Sequence, residues 1–277
     1  MATQSAPLIG GHPEGLAATV RTDNWRLGPV LTLIGFTAFV VYTTWAAFQG
    51  DHYYYGPYLS PLYSPTLFVD TSVEGHAPMW HVWFGEWPSW WPGFLPHSPA
   101  FFILIFPGAF RFTCYYYRKA YYRAYVGSPP ACSVVPIAKG AGEYKGETRL
   151  LLFQNLHRYA LYFALVFVFI LYYDAVVSFF HHGEVGVGVG SFVLLINATL
   201  IAAYTFGCHS FRHLIGGRHD CMSCGKATVK FRAWKRASWL NGRHMAFAWV
   251  SLIWVGLTDL YVRLVSMGVI HDFNTWN

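Results

Sequence analysis

Charge is what this sequence lacks most. Asp, Glu, Lys and Arg make up only 12% of its 277 residues, against about 25% in a soluble domain. Hydrophobic residues reach 55% and the mean hydropathy is +0.32. A chain with so little charge cannot cover a globule with hydrated surface, which excludes an ordinary soluble enzyme. The polar composition of a disordered chain is missing, as are the heptads of a coiled coil and the triplets of collagen. No internal repeat is visible, which argues against a transporter built from repeated halves. The first 28 residues hold no apolar core of signal-peptide length, so the first hydrophobic segment is expected to be retained. Residues 1–28 read as a flexible cytoplasmic arm.

What is present is hydrophobic length. A membrane span needs about 20 mostly apolar residues, and five stretches qualify: about 29–48, 100–117, 156–180, 191–206 and 245–265. Pro107 lies inside the second and predicts a kink there. Lysine and arginine are absent from the segment between spans one and two and from His181–Gly190. They crowd instead between spans two and three (Arg118, Lys119, Arg123, Lys139, Lys145, Arg149) and between spans four and five (eight residues from Arg212 to Arg243). The positive-inside rule then orients the chain. The expected fold is an all-α integral membrane protein, a five-helix bundle over 29–277 with the N-terminus cytoplasmic and the C-terminus outside. The long outer loop, rich in Trp, Tyr and Pro, reads as an interfacial aromatic belt. Nothing suggests a nucleic-acid partner.

All five cysteines fall at or beyond the cytoplasmic ends of spans. That compartment is reducing, so disulfides are not expected. Histidines share the bias: His157 opens span three, His209 and His213 close span four, and His244 opens span five. Each alone is explained by a packed thiol or a hydrogen-bonded interior imidazole. Several at one depth, where polar groups are costly and face the bundle interior, point to a shared centre. Cys114 and Cys208 are the expected thiolates, each about a turn inside the boundary. His244 is the first imidazole, and His209 or His157 the second; Cys208 and His209 would point about 100° apart on an ideal helix and could share one centre only if the helix end loosens, which makes His157 a rival to His209. Two Cys and two His suit zinc or a Rieske-type [2Fe–2S] cluster. One haem b between His244 and His157 or His209 is the alternative. Cys221 and Cys224 form a lone C-x-x-C, a weak zinc signal even with His213 and His219 added. The basic, Tyr-rich run after span two reads as a headgroup anchor and as a quinone pocket using Tyr116, Tyr117 and Arg118. Asp259 and Arg263 suggest an intrahelical ion pair, and Asp174 a solvated helix end.

Five segments carry a family resemblance: FRFTCYYYRKAYYRAYVGSPPACSV, LLLFQNLHRYALYF, GCHSFRHLIGG, LNGRHMAFAW and TDLYVRL. From Arg111 onward the chain resembles the single-subunit, five-helix membrane anchor of a bacterial succinate dehydrogenase, or complex II, a respiratory enzyme. The resemblance implies an inner-membrane subunit that docks a flavoprotein and an iron–sulfur subunit on its cytoplasmic face and holds a quinone near that junction. Many such anchors carry haem b, held by histidines on the first and second helices. Those histidines are missing here, with Cys114 on the second helix, which favours the mixed Cys/His site and a Rieske-type cluster over haem. The chain has no glycine-rich flavin-binding fold, so it would relay electrons from its partners to quinone without oxidising succinate itself. The rival reading is a redox-inactive scaffold that only completes the quinone site.

Overall fold

The computed structural model describes residues 19, 21–128, 130–131, 134–135, 150–217 and 229–276. Cys132, Cys221, Cys224 and His219 lie outside the described residues, and so does most of the arm over 1–28. The helices are α1 (Leu27–Gln49), α2 (Ala100–Ile103), α3 (Ile105–Thr113), α4 (Tyr115–Val126), α5 (Leu150–Val177), α6 (Val189–Phe206), α7 (His209–Gly216), α8 (Val229–Asn241) and α9 (His244–Ser266). Two small hairpins, β1–β2 (Tyr54–Tyr55 with Tyr58–Leu59) and β3–β4 (Phe180–His181 with Glu184–Val185), lie in the segments between α1 and α2 and between α5 and α6. Four helices, α1, α5, α6 and α9, are long and apolar enough to cross a membrane. They match expected spans one, three, four and five to within a few residues at most ends.

Span two differs from expectation. It is not one kinked helix but α2, α3 and α4, and counts as a fifth crossing only if taken together. Proline has no N–H for the carbonyl four residues back. Pro107 therefore leaves the Ile103 carbonyl without its helical donor, and the helix is interrupted at Leu104 rather than bent at Pro107. Pro107 then sits in the first turn of α3, where a missing N–H costs little. The second break falls on Cys114, whose backbone is extended (φ −66°, ψ 128°).

The described chain divides into two compact units. The smaller comprises residues up to Thr37 together with Tyr115–Leu150. Within it Phe36 stacks on Tyr121 (centroids 5.9 Å apart), and the Thr37 and Tyr125 hydroxyls share a 2.6 Å hydrogen bond.

The larger unit comprises Ala38–Cys114 and Leu151–Asn277. Here α6 and α9 pack along their length, and the Trp254 indole donates to the Val193 carbonyl at 3.2 Å. The segment between α1 and α2, expected from sequence to be an outer aromatic belt, also contributes to the core. Trp80, Trp83 and Trp90 are exposed, but Tyr53, Tyr58 and Tyr63 are buried, with Tyr53 stacked on Tyr63 at 4.4 Å. Two buried carboxylates, Asp174 and Asp259, and the half-buried Asp272 tie this loop to other segments. Asp259 accepts from Tyr42 (2.5 Å) and Ser60. Asp272 accepts from Tyr58 (2.6 Å), from Tyr261 and from the Gly190 amide (3.0 Å). Asp174 is not the solvated end expected from sequence: it is buried, accepts from Ser64 and lies 3.1 Å from His81 Nε2. An unsatisfied carboxylate buried as Asp174 and Asp259 are would cost several kcal/mol, so each of these two has gathered donors from distant segments. The Asp259–Arg263 pair is present at 3.4 Å, and it is buried rather than exposed.

Candidate functional site

The two cysteines expected to act as ligands occupy equivalent backbone positions. Cys208 stands between α6 and α7 with an extended backbone (φ −64°, ψ 141°), much like Cys114 between α3 and α4. Neither is within a continuous helix. A single extended residue between two helical segments frees the side chain from the helical face, and both thiols are buried inside the larger unit. His157 comes from the second turn of α5 and His244 opens α9.

These four residues form two pairs. His157 Nε2 lies 3.0 Å from Cys208 Sγ, and His244 Nε2 lies 3.8 Å from Cys114 Sγ. The most exposed of the four, His157, is only 8% accessible. Aromatic rings fix both imidazoles: Phe110 lies flat on His157 (4.6 Å, 5°) and Tyr204 on His244 (4.8 Å, 12°). Thr113 Oγ1 is 2.9 Å from the other nitrogen of His157, Nδ1. Burial pushes the Cys208 thiol up to about 11, and the nearby Cys114 adds to the rise. A cation on the sulfur would offset that cost.

His209 does not join them. It is exposed on α7, with His213 Nε2 at 3.0 Å and Arg212 at 3.2 Å. Partial burial, with the His213 and Arg212 charges, holds its imidazole below the usual range. Among the described residues no three His, Cys, Asp or Glu side chains converge closely enough to hold one metal ion. The site consists of two thiol–imidazole pairs.

A cavity of about 190 Å³ adjoins the pairs. Phe110 and Tyr204, the rings that cover the imidazoles, form part of its wall. From there it extends along Phe167 and Leu171 to Pro61 and Leu62, between α1 and α2. Its charged wall residue is Arg111, which donates to the Ala248 carbonyl (3.2 Å) and Ser251 Oγ (3.0 Å) and lies 4.8 Å over the Tyr204 ring. Sequence reasoning missed Arg111, because a lone arginine in an apolar span has no partner visible nearby in the chain. Tyr116, Tyr117 and Arg118, proposed from sequence for quinone, lie on α4; Tyr116 is exposed, Tyr117 buried and Arg118 half-buried.

The family model described as Actinobacterial succinate dehydrogenase subunit SdhC matches residues 27–268. Among solved structures, the chain is similar to one from the Mycobacterium smegmatis Sdh1 complex in the apo form. The two share 41% identity over 94% of each chain, with a TM-score of 0.78. No curated protein sequence matches. The chain therefore belongs to the actinobacterial succinate dehydrogenase SdhC family, and is a multi-pass inner-membrane anchor subunit of that enzyme.

Proposed function

We propose that the chain relays electrons from succinate oxidation, carried out in docked flavoprotein and iron–sulfur subunits, to a membrane quinone. The observation that carries this reading is the pairing of Cys208 with His157 and of Cys114 with His244 beside an apolar cavity. Two thiolates and two imidazoles are the donor set of a Rieske-type [2Fe–2S] cluster. They also suit zinc, and in either case the two Cys–His pairs would have to draw together around the metal. Such a cluster would supply a one-electron carrier whose potential is raised by its imidazole ligands. The chain's own part is to hold four donors in a dry site. Phe110 and Tyr204 lock the ring planes, and the lipid-facing helices exclude water.

The cavity is our quinone site. Its walls suit an apolar ring, and Arg111 supplies a hydrogen-bond donor for a carbonyl oxygen. Arg111 is already oriented by Ala248 and Ser251, so little side-chain entropy is lost on binding. The charge asymmetry supports a cytoplasmic N-terminus and an outward C-terminus. It also supports basic inner segments, α4 and α8 among them, as the docking face for the soluble subunits. Tyr116, Tyr117 and Arg118 belong to that face in this reading.

The test is a low-temperature EPR and optical spectrum of the purified complex, repeated with His157→Ala and His244→Ala combined. A low average g value that disappears in the variant, together with quinone reduction, is the expected result. A Soret band would indicate haem b. An unchanged spectrum and rate would leave the scaffold reading in its place.

A further inference from the structure

The geometry points to Thr113 as the positioning residue that decides which nitrogen of His157 faces the centre; this inference rests on the Cys/His reading above. The Thr113 hydroxyl has one proton and two lone pairs. Its Oγ1 lies 2.8 Å from the carbonyl of Ala109, one turn back on α3. A carbonyl can only accept, so the hydroxyl proton is committed there, a frequent arrangement for threonine in helices. Toward His157 Nδ1, at 2.9 Å, the same oxygen can then only accept. Nδ1 must therefore carry the ring proton. In a neutral imidazole the other nitrogen, Nε2, is left with its lone pair, and Nε2 is the atom 3.0 Å from Cys208 Sγ.

The consequence is chemical as well as geometric. A ring whose N–H is held by an acceptor has a fixed tautomer and a more basic second nitrogen, as partners behind metal-bound histidines commonly provide. Three residues of one short stretch thus prepare the site. Phe110 fixes the plane of His157, Thr113 fixes its protonation pattern, and Cys114 supplies a thiol. The Ala109 carbonyl matters as much as the hydroxyl, because it forces the hydroxyl to be an acceptor. Thr113 is buried on the α3 side of the Cys114 break, so the short helix α3 serves as its mount.

Thr113→Val keeps the shape and removes the acceptor, while Thr113→Ser keeps the acceptor and removes the methyl. Both are introduced into the whole complex, with succinate-to-dye activity of the soluble subunits confirming assembly. EPR g values and midpoint potential of the membrane centre are then read by redox titration. With Val, the less basic Nε2 stabilises the oxidised centre less well. The expected result is a shift of the potential to more positive values with altered g values, or partial loss of the signal, and restoration by Ser. A Val spectrum and potential identical to the unsubstituted complex would overturn the role of Thr113 and leave the centre standing. Equal displacement in Val and Ser would overturn it too, by assigning the effect to packing. If Val fails to assemble, Thr113→Ala removes the same hydroxyl and is judged against Ser by the same criteria. A missing signal in the unsubstituted complex would overturn the centre itself, and this inference with it.

Discussion

His157 and His209 were rivals in sequence, and their surroundings separate them. His157 is buried against Phe110 and Cys208, whereas His209 is exposed beside His213. His209→Ala should accordingly leave the EPR spectrum and quinone reduction of the complex unchanged, while His157→Ala alone should abolish both; equal effects would place the second imidazole wrongly. Asp259 and Arg263 provide a second test at this scale. Arg263 donates to Gln49 Oε1 (2.6 Å) and the Asp51 carbonyl (2.8 Å) as well as pairing with Asp259. Removing one member of a buried pair leaves an uncompensated charge, at a cost of about 3–5 kcal/mol, whereas replacing both by apolar residues is often neutral. Asp259→Leu should lower the thermal midpoint of the detergent-solubilised complex, and Asp259→Leu with Arg263→Met should recover most of the loss. A double variant as unstable as the single one would show that the other hydrogen bonds of Arg263 matter more than the pair.

Among the elements, the hairpin leading into α6 shows how small residues make room for large ones. Glycines alternate through Gly186, Gly188 and Gly190. A methyl group on Gly190 would meet the Tyr58 ring at 2.7 Å. One on Gly188 would collide with the Tyr58 hydroxyl, and one on Gly186 with the Trp276 indole. Tyr58 and Trp276 thus lie directly against backbone, one from the outer loop and one from the C-terminal segment. Overpacking a tight site costs about 1–3 kcal/mol. Gly190→Ala should lower the thermal midpoint of the complex, and Gly190→Ala combined with Tyr58→Phe should not restore it, because the ring itself is in the way. Pairing with Asp272 would instead be the dominant factor if Tyr58→Phe alone cost as much as Gly190→Ala. The breaks at Cys114 and Cys208 belong to this scale as well. Neither is marked by proline or glycine at the break itself, so propensity gives no sign of Cys114, and Gly207 is only a weak pointer to Cys208.

For the whole chain, the distribution of charge makes the strongest prediction. Cys132, between α4 and α5, should react with membrane-impermeant thiol reagents only when the cytoplasmic face is opened, because the segments rich in Lys and Arg stay inside. Labelling of Cys132 from outside intact cells would reverse the orientation. The exposed apolar surface of α1, α5 and α6 is what a lipid-facing bundle requires. The basic inner segments should instead make the subunit poorly behaved when expressed without its soluble partners.

Hydrophobic length was enough to locate four of the spans, because it is summed along the chain and needs no knowledge of neighbours, while the family was legible in motifs such as LLLFQNLHRYALYF and LNGRHMAFAW. The placement of Cys114, Cys208, His157 and His244 near the ends of helical segments was legible for the same reason: distance from a helix boundary is a property of sequence. Which of the histidines turn inward was not, since rotation about a helix axis is decided by the breaks beside the cysteines and by rings such as Phe110 and Tyr204 that come from other helices. The burial of Asp174 was equally hidden. Its partners Ser64 and His81 lie roughly a hundred residues earlier, and a hydrogen bond across that separation leaves no local trace. The amino-acid sequence by itself determined that this protein lies in a membrane and which segments cross it as long helices. The tertiary structure alone decided which of its thiols and imidazoles pair, because pairing depends on packing between segments that sequence order keeps apart.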